Sequence, residues 1–175
     1  MGFDTTIRFG VAGWSYPDWA GKVYPRGVRD RLAYLAEYVD LIEINSTFYR
    51  IPDAEQARRW ARTVERRPGF SFSAKLHQDV THRGMLETRD IRLFHAGLAP
   101  LAEAGRLRHL LAQFRHDFDD VPARRERLER ISSEFSGLGP LTFELRHRSW
   151  QTDGALAFLR TLGANVAALD YPAGR

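Results

Sequence analysis

Leu41-Ile42-Glu43-Ile44-Asn45-Ser46-Thr47-Phe48-Tyr49-Arg50 is an apolar strand pattern interrupted by a carboxylate and followed by an amide and an aromatic turn. In an extended chain successive side chains alternate between faces, so Leu41, Glu43 and Asn45 are expected on one side and Ile42 and Ile44 on the other. A parallel strand covered by helices on both faces reads as a nearly continuous apolar run. Glu43 breaks such a run. The stretch calls for an architecture in which one face is packed and the other carries polar groups, and the fold turns on whether other strands repeat it.

Several do. Phe70 to Leu76 sets Phe70, Phe72, Ala74 and Leu76 against Ser71, Ser73 and Lys75, with His77 continuing the polar side. Leu107 to Phe114 places His109, Leu111 and Gln113 on one face. Leu141 to Leu145 opposes Leu141, Phe143 and Leu145 to Thr142, Glu144 and, just beyond, Arg146. A first strand is expected over Ile7 to Ala12, leading into Gly13-Trp14-Ser15-Tyr16-Pro17, and a sixth over Asn165 to Leu169. Between the strands, apolar residues recur at helical spacing. The first helix spans Arg29 to Tyr38, and the second begins at the N-cap Asp53 with the stripe Ala57, Trp60, Ala61 and Val64. The third is capped near Thr88 or Asp90, with Ile91, Phe94, Leu98 and Leu101 on one side. The fourth spans Val121 to Phe135 with the stripe Leu128, Ile131 and Phe135, and the fifth follows a cap at Thr152 or Asp153.

Six strands alternating with five helices predict an α/β protein with a parallel sheet built from right-handed βαβ units. The one-sided polarity favours a TIM-barrel-like (β/α) fold over an open doubly wound sheet, because a barrel packs its outer face under helices and gathers polar strand ends at one mouth. Gly10 and Gly13 do not make the G-x-G-x-x-G spacing of a dinucleotide fold.

Bulk composition fits one domain over residues 1–175, with 43% hydrophobic residues to build a core. The net charge of +4 is modest for a nucleic-acid binder. Twenty-four of the 26 basic residues are arginine, so Lys75, inside a strand, stands out from the chain's general cation usage. With no cysteine there is no disulfide or thiolate metal site. No run reaches 18 apolar residues and the N-terminus lacks a signal-peptide layout, so a cytoplasmic protein without membrane partners is expected.

Gly13-Trp14-Ser15, Trp19, Tyr24-Pro25, Glu43 to Tyr49, Trp60, Lys75, Thr81-His82 and Glu144-Leu145-Arg146-His147-Arg148-Ser149-Trp150 resemble the YecE-like family, domain of unknown function 72, over nearly the whole chain. The resemblance implies a TIM-barrel-like fold and brings no established reaction with it. Two departures stand out. The family's Gln-x-Pro-Pro after the fourth strand is here Gln113-Phe114-Arg115-His116-Asp117. Family members also continue for two further strand–helix units, so the resemblance implies a barrel lacking its last two βα units, with the edges of strands one and six uncovered and self-association as a way to cover them.

A barrel would bring Glu43, Asn45, Lys75, Gln113, Glu144, Arg146 and Asp170 toward one mouth. Glu43, Glu144 and Lys75 are the candidate catalytic residues, with carboxylate acid/base chemistry in a partly desolvated site beside Trp14, Phe48 and Tyr49. Lys75 has three uses: a Schiff-base amine, a clamp for phosphate or carboxylate, or a partner for Glu43. Arg146 suits two-point recognition of an oxyanion. The candidate substrate-binding residues are Trp14, Asn45, Tyr49, His82, Gln113, Arg146 and Asp170, and the expected ligand is small, polar and anionic, phosphorylated or sugar-like. The rival arrangement for the same residues is a closed ion network, Glu43 with Lys75 and Glu144 with Arg146. A divalent metal is a second use for Glu43, Glu144, Asp170 and His77 or His82, but no motif such as H-E-x-x-H joins them, so no cofactor or metal ligand is assigned. The reaction classes that fit are hydrolase and lyase or isomerase. Two other readings use the chain differently: a non-catalytic module binding nucleic acid or another ligand through arginine-rich helices, and a short form without activity. The arginines at 58, 59, 62, 66, 67, 124, 125, 127 and 130 lie opposite the apolar stripes, where a solvated surface is expected.

Overall fold

The computed structural model describes residues 7–85 and 87–170. It contains six parallel strands in one sheet: β1 (Gly10–Ala12), β2 (Leu41–Ile44), β3 (Ser71–Lys75), β4 (Leu107–Gln113), β5 (Leu141–Glu144) and β6 (Asn165–Val166). Five helices alternate with them: α1 (Arg31–Leu35), α2 (Ala54–Thr63), α3 (Thr88–Glu103), α4 (Pro122–Phe135) and α5 (Asp153–Thr161).

The strands lie in the order β1-β2-β3-β4-β5-β6, each beside its neighbour in sequence. A doubly wound sheet reverses direction at a switch point. Here every crossover advances the same way, and right-handed crossovers then lay all the helices on one side. The fold is a TIM-barrel-like α/β arrangement, with β1 and β6 as the sheet's edges among the described residues.

Local chemistry sets the helix starts. Asp30 accepts from Ala33 N at 2.9 Å and Asp53 from Glu55 N at 2.7 Å, while Thr152 Oγ1 caps Ala155 N at 3.2 Å. At α3 the capping position is Glu87 rather than Thr88 or Asp90, and its side chain makes no capping bond. α3 crosses the segment entering α2 at Gly97, where an added Cβ would stand 2.1 Å from Pro52 O. Only a residue without a side chain allows that approach. The helix-covered face of the sheet holds Ile42, Ile44, Phe72, Ala74, Leu110, Ala112 and Phe143, all fully buried. Phe94, Leu98 and Leu101 of α3 and Leu128, Ile131 and Phe135 of α4 are buried in the same core.

The outer strands are shorter than their sequence patterns suggest. β1 begins at Gly10 rather than Ile7: Phe9 O accepts from Asp40 N at 2.8 Å but Phe9 N donates to the Asp40 carboxylate at 3.0 Å, and Ile7 and Phe9 remain exposed. β6 spans two residues instead of five; Val166 and Leu169 are exposed beside it. α1 is likewise confined to Arg31–Leu35, with turns carrying the chain on to Val39. Among the described residues no helix is long and apolar enough to cross a membrane.

Candidate active site at the strand ends

Four strands contribute to one polar chain. Register places Glu43 opposite Ser73, Lys75 opposite Leu111, and Gln113 opposite Glu144. The polar residues therefore climb two positions from β2 to β3 and two more from β3 to β4, before meeting level across β4 and β5. That diagonal is the stagger of a barrel wall.

Each member holds the next. Lys75 Nζ lies 3.4 Å from Glu43 Oε1 and donates to Gln113 Oε1 at 3.3 Å. Gln113 Nε2 donates to both Glu144 oxygens at 2.8 Å. Arg146 donates to Glu144 Oε1 through Nε at 2.8 Å and Nη2 at 2.6 Å. The neighbours fix the orientation of the Gln113 amide: its oxygen faces the ammonium and its nitrogen faces the carboxylate. Gln113 thus joins the Glu43–Lys75 pair to the Glu144–Arg146 pair in a single network.

The two carboxylates differ. Glu144 is only 6% exposed and receives donors from two side chains. The Glu43 side chain is 17% exposed and meets one ammonium. Burial pushes the Glu43 carboxyl above its ordinary value of 4.5; Lys75 pulls it back, and the charge of Glu144 adds to the upward push. A half-buried acid beside a cation, poised above the usual carboxylate range, is suited to exchanging a proton.

Loops support the strand ends. Gly13 adopts a φ of 77° and its N–H donates to Glu43 O at 2.9 Å, fixing the exit of β1 against β2. Thr47, which the sequence did not single out, is buried with its hydroxyl 2.8 Å from Ile44 O and 2.7 Å from Lys75 O. One hydroxyl spans the two carbonyls and ties the turn after β2 to the end of β3.

A resemblance of this extent is a matter of family. The family described as "protein of unknown function DUF72" matches residues 8–175. The chain belongs to the DUF72 family. Among solved structures, a DUF72 family protein from Enterococcus faecalis is 25% identical, with a TM-score of 0.76, over 92% of this chain and 60% of its own. A DUF72 family protein from Thermotoga maritima is 29% identical, with a TM-score of 0.72, over 90% of this chain and 62% of its own. The chain therefore spans about three-fifths of the length of these DUF72 relatives. No curated protein matches it.

The remaining expected site residues of this DUF72 chain lie around the network or away from it. Asn45 does not share the face of Glu43, because β2 stops at Ile44 and a 3-10 turn, Asn45–Phe48, begins; its Nδ2 donates to Tyr16 Oη at 3.1 Å. Trp14 packs edge-on against Trp60 of α2 at 5.5 Å and tilts against Phe72, which places it beside the helix-covered core. Tyr49 is 69% exposed and touches Phe48. His82 sits edge-on to Phe48 at 4.9 Å, and Arg146 is near enough to contribute to depressing its pKa, behind burial and two other arginines. Asp170 is exposed past β6 and takes no part in the network. His77 turns to Asp79 at 3.4 Å. Among the described residues no three His, Asp or Glu side chains converge as metal donors, so the set Glu43, Glu144, Asp170 and His77 or His82 is not assembled.

Proposed function

We propose that the strand-end network is an acid–base site acting on a small, polar, anionic substrate, with Glu43 carrying the proton. The observation that supports this most is the state of Glu43: largely buried, 3.4 Å from Lys75, and still raised in pKa because burial outweighs the cation. A carboxyl brought nearer to neutral pH both accepts and returns a proton effectively.

The other members have consistent roles. Lys75 supplies a positive charge beside Glu43, where it stabilises negative charge developing on a substrate oxygen. Glu144 holds Arg146 and Gln113 in place through four donated contacts. Arg146, one-third exposed, carries positive charge to the rim of the network and attracts the anionic end of the ligand. Hydrolysis of a phosphate ester and a lyase or isomerase reaction both fit a general acid–base pair of this kind.

The test is turnover against phosphate esters and phosphorylated sugars, together with deuterium exchange from solvent into carbons next to a carbonyl. Glu43→Gln is expected to lose ~100-fold or more, while Glu144→Gln, acting through Arg146 and Gln113, loses less. The rate should rise on a limb that lies above the ordinary carboxylate range. Equal turnover in the wild type and both variants would show that the network is structural only.

A further inference from the structure

We propose that this chain has a second anion site, built for a phosphoryl group, in the cavity between the π-helical turn Asp79–Arg83 after β3, the loop after β4 and the start of α4. The cavity is about 270 Å³ and is lined by Thr81, His82, Arg115, Asp117, Arg124 and Arg127 together with Phe118. It deepens the acid–base reading, resting on it for where the reacting end of the substrate lies, and it names the other end as a phosphate monoester.

The charges facing the cavity do not cancel. Arg115 Nε is 3.3 Å from Asp117 Oδ1, and Arg124 is bound by Asp119. Among the described residues Arg127 pairs with no carboxylate. It donates to the Val80 carbonyl, its guanidinium lies over the rings of Phe114 and Phe118 at 5.7 and 5.5 Å, and its Nε is buried with no hydrogen-bond partner. Gly84, at a φ of 77°, brings its backbone close: an added Cβ would stand 3.4 Å from the Arg127 Cζ and Nη1 atoms. A half-buried guanidinium held against two stacked aromatic rings, with a donor left over, is costly unless an anion completes it.

His82 reports the same field. Burial and then Arg115, Arg127 and Arg146 all disfavour its protonation, and only Asp117 opposes them. Three arginines from two elements, with Arg146 close enough to act on the same imidazole, converge on a small volume. A carboxylate offers two oxygens and one charge; a phosphate monoester offers three terminal oxygens and nearly two charges, and matches guanidinium forks arriving from different directions. Arg146 binds Glu144 of the acid–base network and also acts on the imidazole of His82 in the cavity lining; on this proposal one substrate places its phosphate among the cavity arginines and its reacting carbon or oxygen near Glu43.

The experiment is calorimetric titration of the full chain with inorganic phosphate. Arg115→Gln, at an exposed position, and Arg127→Gln are each expected to weaken phosphate binding by about tenfold or more. Arg58→Gln on α2 and Glu43→Gln leave it unchanged. The site is overturned if the wild type binds no phosphate, or if neither cavity variant weakens it. Tighter binding of an oligothymidylate of about eight nucleotides without terminal phosphates, lost with the same arginines, would overturn the monoester assignment in favour of a nucleic-acid backbone. The two readings fail separately: phosphate binding that ignores Arg115 and Arg127 while turnover depends on Glu43 removes only the cavity site, and the reverse pattern removes only the proton-transfer role.

Discussion

On the helix-covered side of β2 to β5, Ile42, Ile44, Phe72, Leu110 and Phe143 are sealed from solvent and touch one another. On the other side, one or three residues away along each strand, Glu43, Lys75, Gln113 and Glu144 hold one another through hydrogen bonds and ion pairs. The first face gains from every apolar atom removed from water. The second gains little from burial, since each desolvated charge must recover its hydration from a specific partner. The same strands thus carry a stabilising face and a face whose stability depends on its partners, and substitutions on the two should differ in size and in their dependence on pH.

The largest effect belongs to the apolar face. Phe72→Ala leaves a void between Trp14 and Phe70, with which its ring is in contact at 6.4 and 5.2 Å, and should cost about 3–5 kcal/mol in urea unfolding at any pH where the chain is folded. A cost below ~1 kcal/mol would show that this face is not the core. Second comes Glu144→Gln. The substitution removes a buried charge from between Arg146 and Gln113 and sets one amide against another, for a loss of about 2 kcal/mol. If Glu144→Gln proves as stable as the wild type, the four contacts to that carboxylate only balance its burial, and the polar face is not held by them.

How much of this was legible in the sequence follows from the same contrast. Alternation showed both faces, because a central strand has neighbours on both sides to keep it extended; the pairs Glu43 with Lys75 and Glu144 with Arg146, read from the sequence as the rival to a catalytic arrangement, are both formed. The edges were read too long: β1 and β6 have one neighbour each, and at Phe9 only the carbonyl still meets backbone, accepting from Asp40 N, while its N–H goes to the Asp40 side chain. Asn45 was assigned to the face of Glu43 because nothing in Ile44-Asn45 marks the strand's end; Thr47, two residues later, turns the chain by reaching two carbonyls at once. The role of Gln113 as the bridge needed the register of β4 against β3 and β5, which alternation does not give.

The arginines of α4 were the other loss. They read as a solvated surface, yet Arg124 and Arg127 are only partly exposed and line a cavity. The signal was present: extending the stripe Leu128, Ile131 and Phe135 back by one turn lands on Arg124 and Arg127 at positions i−4 from Leu128 and Ile131. An arginine that falls on the apolar stripe is drawn toward the packed side of the helix rather than into solvent. By contrast Arg58 and Arg62 on α2 are well exposed and share Glu55, as an unspecialised helix surface would have them.

The smallest effect is the one that most directly separates the two faces, because it changes with pH. The folded state raises the pKa of Glu43 above its ordinary value of 4.5, through burial first and the Glu144 charge in addition, against the pull of Lys75. Between that ordinary value and the raised one the folded chain binds more protons at Glu43 than the unfolded chain does. Unfolding stability contributed by this group therefore falls as pH rises through the window, and is lowest once Glu43 is ionised in both states. Glu43→Gln has no such titration, so its stability relative to the wild type should increase as pH rises above the ordinary value of 4.5 and level off once Glu43 is ionised in the folded chain too, measured by urea unfolding at several pH values. An apolar-face variant such as Phe72→Ala gives a flat difference over the same range. If the Glu43→Gln difference is also flat, Lys75 fully compensates the burial of Glu43, and the carboxylate is an ordinary buried ion-pair member. If it rises, the fold keeps an ionised Glu43 at a cost to its own stability, which a purely structural pair would not require.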